Sequence, residues 1–561
     1  MPRPSPTAMT TTISTFKQHD PQDYDCSIYE YWQRGMDGLD DCEAVRFMFK
    51  ALTHGAMRRA TKHMAAKLAS MGVGQGTVVT LCMPNLPVAV CTIYAINYLG
   101  AVCSVLHPLT PVESVLDQMK RNDSRLLLCF DKLFLHQSET MCTADIDVLL
   151  LSAGEYFNPL ERAVIQAFNH VSKSALRAKI DASFRAKVHV YHSAETLAEV
   201  PPVQGIGEDV CLYLHSGGTT GVPKTIPITN RMMNAEAFNV IHLTDTPDVG
   251  KTSMLMVLPI FHGFGIGVCL HGMLPFGVRV VLQASFDPKK SVRIIKQNHI
   301  SLLVGVPTMF DKLLATGHFV GRNIRSLRNA YCGGDSMSPE LKEHFDAACA
   351  KAGSPCKLYQ GYGLTETVAV CCANNPHVPD RAGSIGRPVV GVEMCVMDEQ
   401  GVPLADGERG EICVSGSSVM GGYLDSTPEG VLQSMQGKTW LHTGDCGYRD
   451  ADGYYHFVGR KKRMSIIAGV NVYHQEIEQL AYAVEGVAAA AVTECKVKGK
   501  TCVKLWLVPA EGYTGDLRPA VLDYLRRQLT KYCVPREVAL VDEMPKTPMG
   551  KVDYRALSER A

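Results

Sequence analysis

The chain has 561 residues, with 56 lysines and arginines against 56 aspartates and glutamates. This length exceeds what one hydrophobic core usually supports, so we predict more than one domain. The balanced charge gives no electrostatic reason to expect nucleic acid as a partner. The 20 cysteines include no Cys-x-x-Cys pair and no zinc-type Cys/His spacing, which predicts reduced, mostly buried thiols in a cytoplasmic protein.

The N-terminal residues, MPRPSPTAMTTTIS, are rich in Pro, Ser and Thr, and we predict a disordered leader over residues 1–25. The longest apolar run, from Val88 to Leu106, approaches the length of a transmembrane helix. Asn97 and Gly100 interrupt it and no Lys or Arg flanks it closely, so we predict a buried helix followed by a strand. No integral membrane span is expected, while peripheral membrane contact and the oligomeric state are left open.

Helical and strand-like segments alternate from about Ala44 to about Gly391, as in AMRRATKHMAAKLASMGVGQG followed by TVVTLCMP. Such alternation predicts parallel sheets covered by helices on both faces. After Gly391 the pattern changes to strand, turn and strand, which predicts an antiparallel β section. The sequence thus predicts an α/β protein with a large domain over 26–459 and a compact α/β domain over 460–561.

The last hundred residues contain three elements that the sequence predicts with some detail. A helix is predicted from Glu476 to Ala483, and KVKGKTCVKLWLV is predicted to form a hairpin around Gly499. Asp516 is placed to cap a further helix, which carries leucines and valines on one face.

The most informative stretch is LHSGGTTGVPKT, from Leu214 to Thr225, which follows the apolar strand DVCLYL. Its glycines let backbone N–H groups approach an anion, its hydroxyls can donate hydrogen bonds, and Lys224 supplies charge. The P-loop spacing also fits Gly218 and Lys224, but Pro223 lacks the N–H that a P-loop uses there. A flexible polar turn is the remaining alternative.

This loop resembles the signature loop of the adenylate-forming superfamily, which includes acyl-CoA synthetases, luciferases and adenylation domains. Other segments resemble the remaining motifs of that superfamily in the same order along the chain: LPIFHGFG from Leu258, GGD at 333–335, QGYGLTE at 360–366, GERGEI at 407–412, TGD at 443–445, GRKK at 459–462 and PKTPMGK at 545–551. The resemblance implies a large N-terminal domain of αβ sheets with a β section and a small, mobile C-terminal α/β domain.

The resemblance also implies an acid–CoA ligase that uses ATP, Mg²⁺ and CoA and forms an acyl-AMP intermediate. Lys551 would supply charge between the attacking carboxylate and the α-phosphate. At about 4 Å and an effective dielectric constant near 20, one charge contributes roughly 4 kcal/mol, or about three decades of rate. Glu366 would bind Mg²⁺, Thr219 would donate to a phosphate oxygen, and His262 would lie at the acid pocket.

Other residues are implied by the same motifs. Thr220 and Thr365 would contact phosphate, Tyr362 would lie against adenine, and Asp445 with Arg460 would contact ribose. The remaining nucleotide and CoA positions are Ser216, Gly218, Lys224, Gly334, Asp335, Lys462 and Gly469. In this superfamily the small domain rotates at the hinge, with Lys462 as the pivot, and presents either Lys551 for adenylation or the loop near Gly469 for CoA.

We predict that the substrate is an acid without an ammonium group, because FHGFG contains no Asp of the kind that amino-acid-activating relatives use. We predict that Gly263, Gly265 and Gly267 leave room for a long or flat substrate, with tight helix packing as the alternative. The segment GRKKRMSIIAGVNVYHQEIE resembles bacterial medium- and long-chain fatty-acyl-CoA synthetases, although Arg463 replaces an acid and His474 replaces a proline.

We therefore predict a medium- or long-chain fatty acid as substrate. An aryl-acid–CoA ligase and an acyl-AMP ligase that loads a carrier protein are the alternatives. The intact Lys224, Glu366, Asp445 and Lys551 argue against a non-catalytic acyl- or nucleotide-binding module.

Overall fold

A computed structural model describes residues 24–158, 160–162, 165, 173–181, 187–216, 224–245, 247–425, 430–468, 470–497, 500–546 and 552–560. The described residues form two compact units. Unit 1 takes its residues from 1–382, 386–393 and 415–432, and unit 2 takes its residues from 383–385, 394–414 and 433–561. The leader, except for its last two residues, lies outside the described residues, and the domain boundary near Arg460 stays a prediction.

Unit 1 contains two sheets. The first has seven strands in the order β7 (Lys187–Val190), β6 (Asp147–Leu151), β5 (Leu126–Phe130), β3 (Val78–Cys82), β4 (Val102–Val105), β8 (Val210–His215) and β9 (Thr225–Thr229). Neighbouring strands are parallel except for β8 and β9, which are antiparallel. The parallel pairing confirms the sheet type predicted from the alternating pattern.

The second sheet of unit 1 has nine strands. Their order is β16 (Arg387–Pro388), β15 (Cys372–Ala373), β14 (Lys357–Tyr362), β13 (Asn329–Cys332), β12 (Leu302–Gly305), β10 (Ser253–Met256), β11 (Arg279–Leu282), β1 (Glu43–Phe47) and β2 (Lys50–Thr53). Strands β10 to β14 are mutually parallel where they pair, so their carboxyl ends lie at one edge of the sheet. In open α/β sheets, ligands bind beyond that edge.

The described α-helices of unit 1 are α1 (Ile28–Gly35), α2 (His54–Ser70), α3 (Pro87–Tyr98), α4 (Val112–Arg121), α5 (Asp131–Thr143), α6 (Lys173–Asp181), α7 (Asn230–Ile241), α8 (Pro288–Asn298), α9 (Pro307–Leu314) and α10 (Pro339–Lys351). Every residue of α3 is buried, and Pro87 begins it because a first-turn residue needs no N–H partner. The predicted buried helix followed by a strand is confirmed by α3 and β4. Among the described residues, no helix combines the length and apolarity needed to cross a membrane.

Unit 2 is built on an antiparallel sheet and a smaller α/β part. The sheet contains β17 (Val392–Met397), β18 (Gly410–Gly416), β20 (Lys438–Arg449), β19 (Leu432–Met435) and β21 (Tyr455–Arg460). The α/β part contains β22 (Met464–Ile467), β23 (Val470–Tyr473), β24 (Val487–Val497), β25 (Lys500–Pro509), β26 (Glu537–Leu540), α11 (His474–Tyr482), α12 (Leu517–Gln528) and α13 (Tyr554–Ser558). The predicted antiparallel section and the overall α/β class are confirmed.

Local predictions in unit 2 are also confirmed. Val497 pairs with Lys500 in an antiparallel hairpin, although its turn residue Gly499 lies outside the described residues. Asp516 caps α12 by accepting a hydrogen bond from the Arg518 N–H. Across both units the described cysteines are buried, except for three that are partly exposed: Cys42, Cys395 and Cys495.

Candidate active site

Three of the predicted motifs in unit 1 begin where parallel strands end. The FHGFG segment follows β10, the loop from Gly333 to Asp335 follows β13, and Glu366 follows β14. Because these strands are parallel in one sheet, the three segments share its carboxyl edge. The Phe264 ring reaches within 3.2 Å of a Cβ built on Gly333, so the first two segments are in direct contact.

The phosphate loop is described only at its two ends. The Ser216 N–H donates a hydrogen bond of 3.0 Å to the carbonyl oxygen of Lys224, which brings the ends together. The predicted phosphate ligands Gly218, Thr219 and Thr220 lie outside the described residues. The end that carries Lys224 is therefore fixed by the strand pair β8–β9, and the lysine side chain is exposed.

A buried polar network lies directly beneath the loop ends. His215 Nε2 lies 3.2 Å from Ser104 Oγ, and its Nδ1 lies 3.4 Å from Thr225 Oγ1. The Gln118 amide donates to Thr225 Oγ1 at 2.9 Å, and the Asn122 amide donates to Ser104 Oγ at 3.0 Å. Burial lowers the pKa of His215 to about 4, so the imidazole is neutral at physiological pH. This network fixes the base of the loop, and the sequence analysis did not identify it.

Tyr423 links the phosphate-loop lysine to the predicted metal ligand. Its hydroxyl donates a 2.9 Å hydrogen bond to Glu366 Oε1, and Lys224 Nζ lies 4.2 Å from the centre of its ring. Burial, followed by the charge and the hydrogen bond of Glu366, raises the pKa of Tyr423 above its ordinary value. The phenol therefore stays protonated and donates. A cation above an aromatic face is attracted to it, so one side chain contacts both functional groups.

The backbone around Tyr423 is held by the same two motifs. The Met420 N–H donates to the carbonyl oxygen of Glu366 at 2.8 Å, and the Leu424 N–H donates to that of Thr225 at 2.9 Å. These bonds bracket the tyrosine on both sides. The sequence analysis missed Tyr423 because GGYLD carries no distinctive spacing, and its partners are distant in the chain.

Glu366 fits the requirements of a magnesium ligand. It lies in a short 3₁₀-helix, Thr365–Thr367, and is half-buried. Tyr423 occupies its Oε1, while its Oε2 makes no hydrogen bond to another described residue. Mg²⁺ is usually held by one or two carboxylates together with substrate phosphates. A single oriented carboxylate suits that mode, and the described residues contain no cluster of three or more metal-ligating side chains.

The predicted adenine-side residues are brought together at the ends of β13 and β14. Gly334 has a φ of +77°, which favours glycine, and Gly333 lies against the carbonyl oxygen of Gly361. Asp335 is exposed and accepts a hydrogen bond from the N–H of the residue that follows it. Tyr362 ends β14 and is half-buried.

The prediction that the pocket glycines leave room for substrate is wrong. A Cβ built on Gly263 would overlap the carbonyl oxygen of Val368, and one built on Gly265 would overlap that of Pro259. A Cβ on Gly267 would lie 2.8 Å from Val368 Cγ1. Gly263 and Gly265 therefore permit close packing against neighbouring backbone, and Gly267 permits close packing against the Val368 side chain, as the alternative interpretation of tight packing had it.

His262 is exposed at the start of an unusual helix. Its carbonyl oxygen accepts hydrogen bonds of 2.9 Å from the N–H groups of both Gly265 and Ile266. The chain then forms a π-helix, Phe264–His271. Helices of this type are rare in proteins, and those that occur are often found at functional sites. The His262 ring lies 6.3 Å from that of Phe261. The structure thus places His262 at the carboxyl edge of the sheet.

In unit 2, Asp445 and Arg460 face each other across two strands. Asp445 is 2% exposed and lies opposite Arg460, whose Nε is 3.2 Å from Asp445 Oδ1. The Gly444 N–H donates to Glu411 Oε1 at 2.8 Å, and the Asp445 N–H donates to Thr443 Oγ1 at 3.0 Å. The TGD turn is therefore fixed in part by the glutamate of the GERGEI motif.

The surroundings of Glu411 favour the ionised form of its carboxyl group. Burial opposes ionisation, but hydrogen bonds from His442 and the Gly444 N–H, with the charge of Lys461, outweigh it and lower the pKa of Glu411. Lys461 Nζ lies 3.4 Å from Glu411 Oε2. The predicted pivot Lys462 is the next residue in an exposed 3₁₀-helix, and the predicted Gly469 and Lys551 lie outside the described residues.

The two departures from the bacterial synthetase pattern have structural partners. The Arg463 guanidinium lies 3.6 Å from the centre of the Tyr554 ring and 2.6 Å from Glu478 Oε1. His474 Nε2 lies 2.8 Å from Ser465 Oγ, and burial lowers the pKa of His474 to about 4. Both residues therefore stabilise unit 2 locally.

The motifs and their geometry agree with the family comparisons. Residues 33–424 match the family described as AMP-binding enzyme, and residues 476–551 match the AMP-binding enzyme C-terminal domain. The chain belongs to the AMP-binding enzyme family. The predicted membership of the adenylate-forming superfamily is thereby confirmed.

Relatives of this AMP-binding enzyme align along nearly the whole chain. The long-chain-fatty-acid–CoA ligase of Bacillus subtilis is 28% identical over 92% of this chain and 92% of the relative. A feruloyl-CoA synthase of Amycolatopsis is 30% identical over 91% of this chain and 94% of the relative.

Solved structures share the fold of this AMP-binding enzyme. The anthranilate CoA ligase AuaEII, solved with anthranoyl-AMP, has a TM-score of 0.78 at 21% identity and covers 95% of this chain and 97% of its own. ATP-bound MatB from Rhodopseudomonas palustris has a TM-score of 0.77 at 22% identity and covers 95% of this chain and 98% of its own. The predicted fold class is confirmed.

The glycine contacts predict the effect of an added methyl group. We expect Gly265→Ala to destabilise the AMP-binding enzyme by about 1–3 kcal/mol or more, because the methyl overlaps a backbone oxygen. Gly74→Ala is the matched control, since a Cβ there meets no atom within 4 Å. Thermal unfolding should show a lower midpoint for Gly265→Ala than for Gly74→Ala, and equal midpoints would contradict the packing interpretation.

Proposed function

We propose that this chain is an ATP-dependent, AMP-forming acid–CoA ligase. It joins a carboxylic acid to AMP, releases pyrophosphate, and then transfers the acyl group to CoA with release of AMP. The observation that carries the proposal is the contact of Tyr423 with both Lys224 and Glu366, which couples the proposed phosphate-binding loop to the proposed metal ligand. CoA ligases that align over more than nine-tenths of this chain support it.

The chemistry requires a carboxylate to approach the anionic α-phosphate. Cations and hydrogen-bond donors must offset the repulsion between the two anions. In the proposal Lys551 supplies charge between them, and Lys224, Thr219 and Thr220 contact phosphate oxygens. Magnesium, held by Glu366 and the phosphates, neutralises further negative charge.

The nucleoside is assigned to the remaining motif residues. Asp445 suits the ribose because a buried carboxylate can accept hydrogen bonds from two neighbouring hydroxyls, and Arg460 would share that contact. Tyr362 offers an aromatic face for adenine at the end of β14, and the exposed Asp335 follows the neighbouring strand β13. These roles follow from the superfamily resemblance.

For the acid, we propose a medium- or long-chain fatty acid as first candidate. Long-chain-fatty-acid–CoA ligases from Bacillus subtilis and Salmonella typhimurium, each 28% identical, support it. The resemblance of residues 459–478 to bacterial fatty-acyl-CoA synthetases supports it as well. An aryl acid is the second candidate, supported by a feruloyl-CoA synthase at 30% identity and an indoleacetate–CoA ligase of Aromatoleum aromaticum at 29%. The close packing of Gly263 and Gly265 removes the argument for a long channel at those residues.

A series of straight-chain acids tests the first candidate. Each methylene buried in an apolar pocket contributes roughly 0.8 kcal/mol, which corresponds to about a fourfold gain in kcat/KM. We expect kcat/KM for CoA-thioester formation to rise with chain length to a plateau. Coumarate-type acids that exceed every straight-chain acid would reject the fatty-acid candidate in favour of the aryl acid.

The two half-reactions test the role of Lys551. Lys551→Ala should slow acyl-AMP formation by about three decades, because one charge near the reacting anions is lost. Thioester formation from supplied acyl-AMP should be largely unchanged, since the lysine is assigned to the first step only. Lys546→Ala, a neighbouring lysine without an assigned role, is the control. Equal losses in both half-reactions would refute the assignment.

Variants of Tyr423 distinguish the role of its hydroxyl group from the role of its ring. Tyr423→Phe should raise the Mg²⁺ concentration for half-maximal pyrophosphate release by roughly tenfold, because a hydrogen bond to a charged group contributes about 1.5–3 kcal/mol. Tyr423→Leu should also raise the KM for ATP through the loss of its contact with Lys224. Tyr532→Phe, at a residue with 37% exposure, is the control. An unchanged Mg²⁺ dependence in Tyr423→Phe would show that the hydroxyl does not orient Glu366.

A further inference from the structure

Glu236 is a buried carboxyl group that the assigned chemistry does not use. It lies on α7 and is 0% exposed. Its Oε1 accepts a 2.8 Å hydrogen bond from the Val370 N–H, whereas its Oε2 is buried and has no hydrogen-bond partner within the described part of the chain. Buried polar atoms are nearly always paired, so an unpaired carboxyl oxygen indicates a missing partner.

The unpaired Oε2 distinguishes Glu236 from Asn230 and Asn234, two other buried polar residues of α7. Asn230 donates to the carbonyl oxygen of Ile206 at 2.9 Å, and its own oxygen accepts two further hydrogen bonds. The Asn234 oxygen lies 3.0 Å from His271 Nε2, and its amide donates to backbone carbonyls. The side-chain amides of Asn230 and Asn234 thus have hydrogen-bond partners, whereas Glu236 Oε2 has none among the described residues.

The surroundings of Glu236 include the π-helix that follows His262, the residue that the resemblance assigns to the acid pocket. Its Cγ lies 3.5 Å from a Cβ built on Gly267 in the π-helix that follows His262. The same point is bordered by Val368 Cγ1 and by Ala369 Cβ at 4.0 Å, both from the chain just after YGLTET. The Glu236 side chain is therefore bordered near its Cγ by apolar groups of these two segments.

The protonation state indicates what kind of group would pair with Glu236. Burial raises the pKa of Glu236 to about 8, against the opposing effect of the Val370 N–H. The carboxyl group is therefore largely protonated at neutral pH, with the proton on the oxygen that Val370 does not contact. A neutral carboxyl suits a neutral partner that both donates and accepts, which describes a hydroxyl group better than an ammonium group.

We propose that Glu236 hydrogen-bonds a hydroxyl group on the hydrocarbon part of the acid, so that the preferred substrates are hydroxyl-bearing carboxylic acids. This inference rests on the proposed acid–CoA ligase function. The hydroxyl can belong to a hydroxylated fatty acid or to a phenolic acid, and the two carbon skeletons share this recognition chemistry.

Pairs of acids that differ only in the hydroxyl test the proposal. The full-length protein is assayed for CoA-thioester formation with 4-hydroxycinnamate against cinnamate, and with terminally hydroxylated against unsubstituted fatty acids. We expect kcat/KM to favour the hydroxylated member of at least one pair by about tenfold or more, because a site built around a hydroxyl leaves a buried group unpaired with the analogue that lacks it. The pair that shows the preference identifies the skeleton. Equal kcat/KM within both pairs overturns the proposal without any variant.

Two variants separate recognition from a purely structural role. Glu236→Leu removes both oxygens at similar volume, whereas Glu236→Gln keeps an acceptor for the Val370 N–H and a donor in place of the Oε2 hydroxyl. Recognition predicts that Glu236→Leu brings the hydroxyl preference close to unity and that Glu236→Gln keeps most of it. If Glu236→Leu lowers kcat/KM for both members of a pair alike, the residue only supports the loop and the proposal is wrong.

Two further outcomes would each reject a different proposal. A preference for 4-aminomethylcinnamate over 4-hydroxycinnamate would assign Glu236 to an ammonium group and overturn the hydroxyl proposal. The absence of AMP and thioester with every acid, hydroxylated or not, would instead overturn the acid–CoA ligase function.

Discussion

Close approach of backbone to backbone, made possible by glycine, is the constraint on which the candidate site of unit 1 depends. A Cβ on Gly363 would overlap the carbonyl oxygen of Ala369, and one on Gly263 would overlap that of Val368. Without side chains at these positions, the segment after Glu366 packs directly against the π-helix and the end of β14. Val368 has a φ of +67°, a strained conformation for a β-branched residue that the surrounding contacts maintain.

This packing positions chemical groups that the sequence separates widely. It fixes Glu366, whose Oε1 is oriented by Tyr423, and it places Val370 to donate to Glu236. The same region therefore carries one carboxylate suited to a metal ion and one buried carboxyl that stays protonated. Burial raises the pKa of Glu236 because apolar surroundings disfavour the charged form.

The sequence predicted the sheets, the antiparallel section and the family, because alternating patterns and ordered motifs are local properties of the chain. It did not predict the role of Gly265, since a glycine can leave space for a ligand or for a neighbouring backbone, and only the fold decides. It also missed Tyr423 and Glu236. Their hydrogen-bond partners are 57 and 134 residues away in the chain, so neither contact has a local signature.

The proposed acid–CoA ligase activates the acid through one of its own carboxylate oxygens, as an acyl adenylate. The most direct test uses an acid whose carboxylate is labelled with ¹⁸O, incubated with the protein, MgATP and CoA. Attack of the carboxylate on the α-phosphorus, followed by transfer of the acyl group to CoA, leaves one labelled oxygen in AMP, which mass spectrometry of the nucleotide detects. Label in inorganic phosphate together with ADP, or unlabelled AMP formed alongside the thioester, would contradict the account.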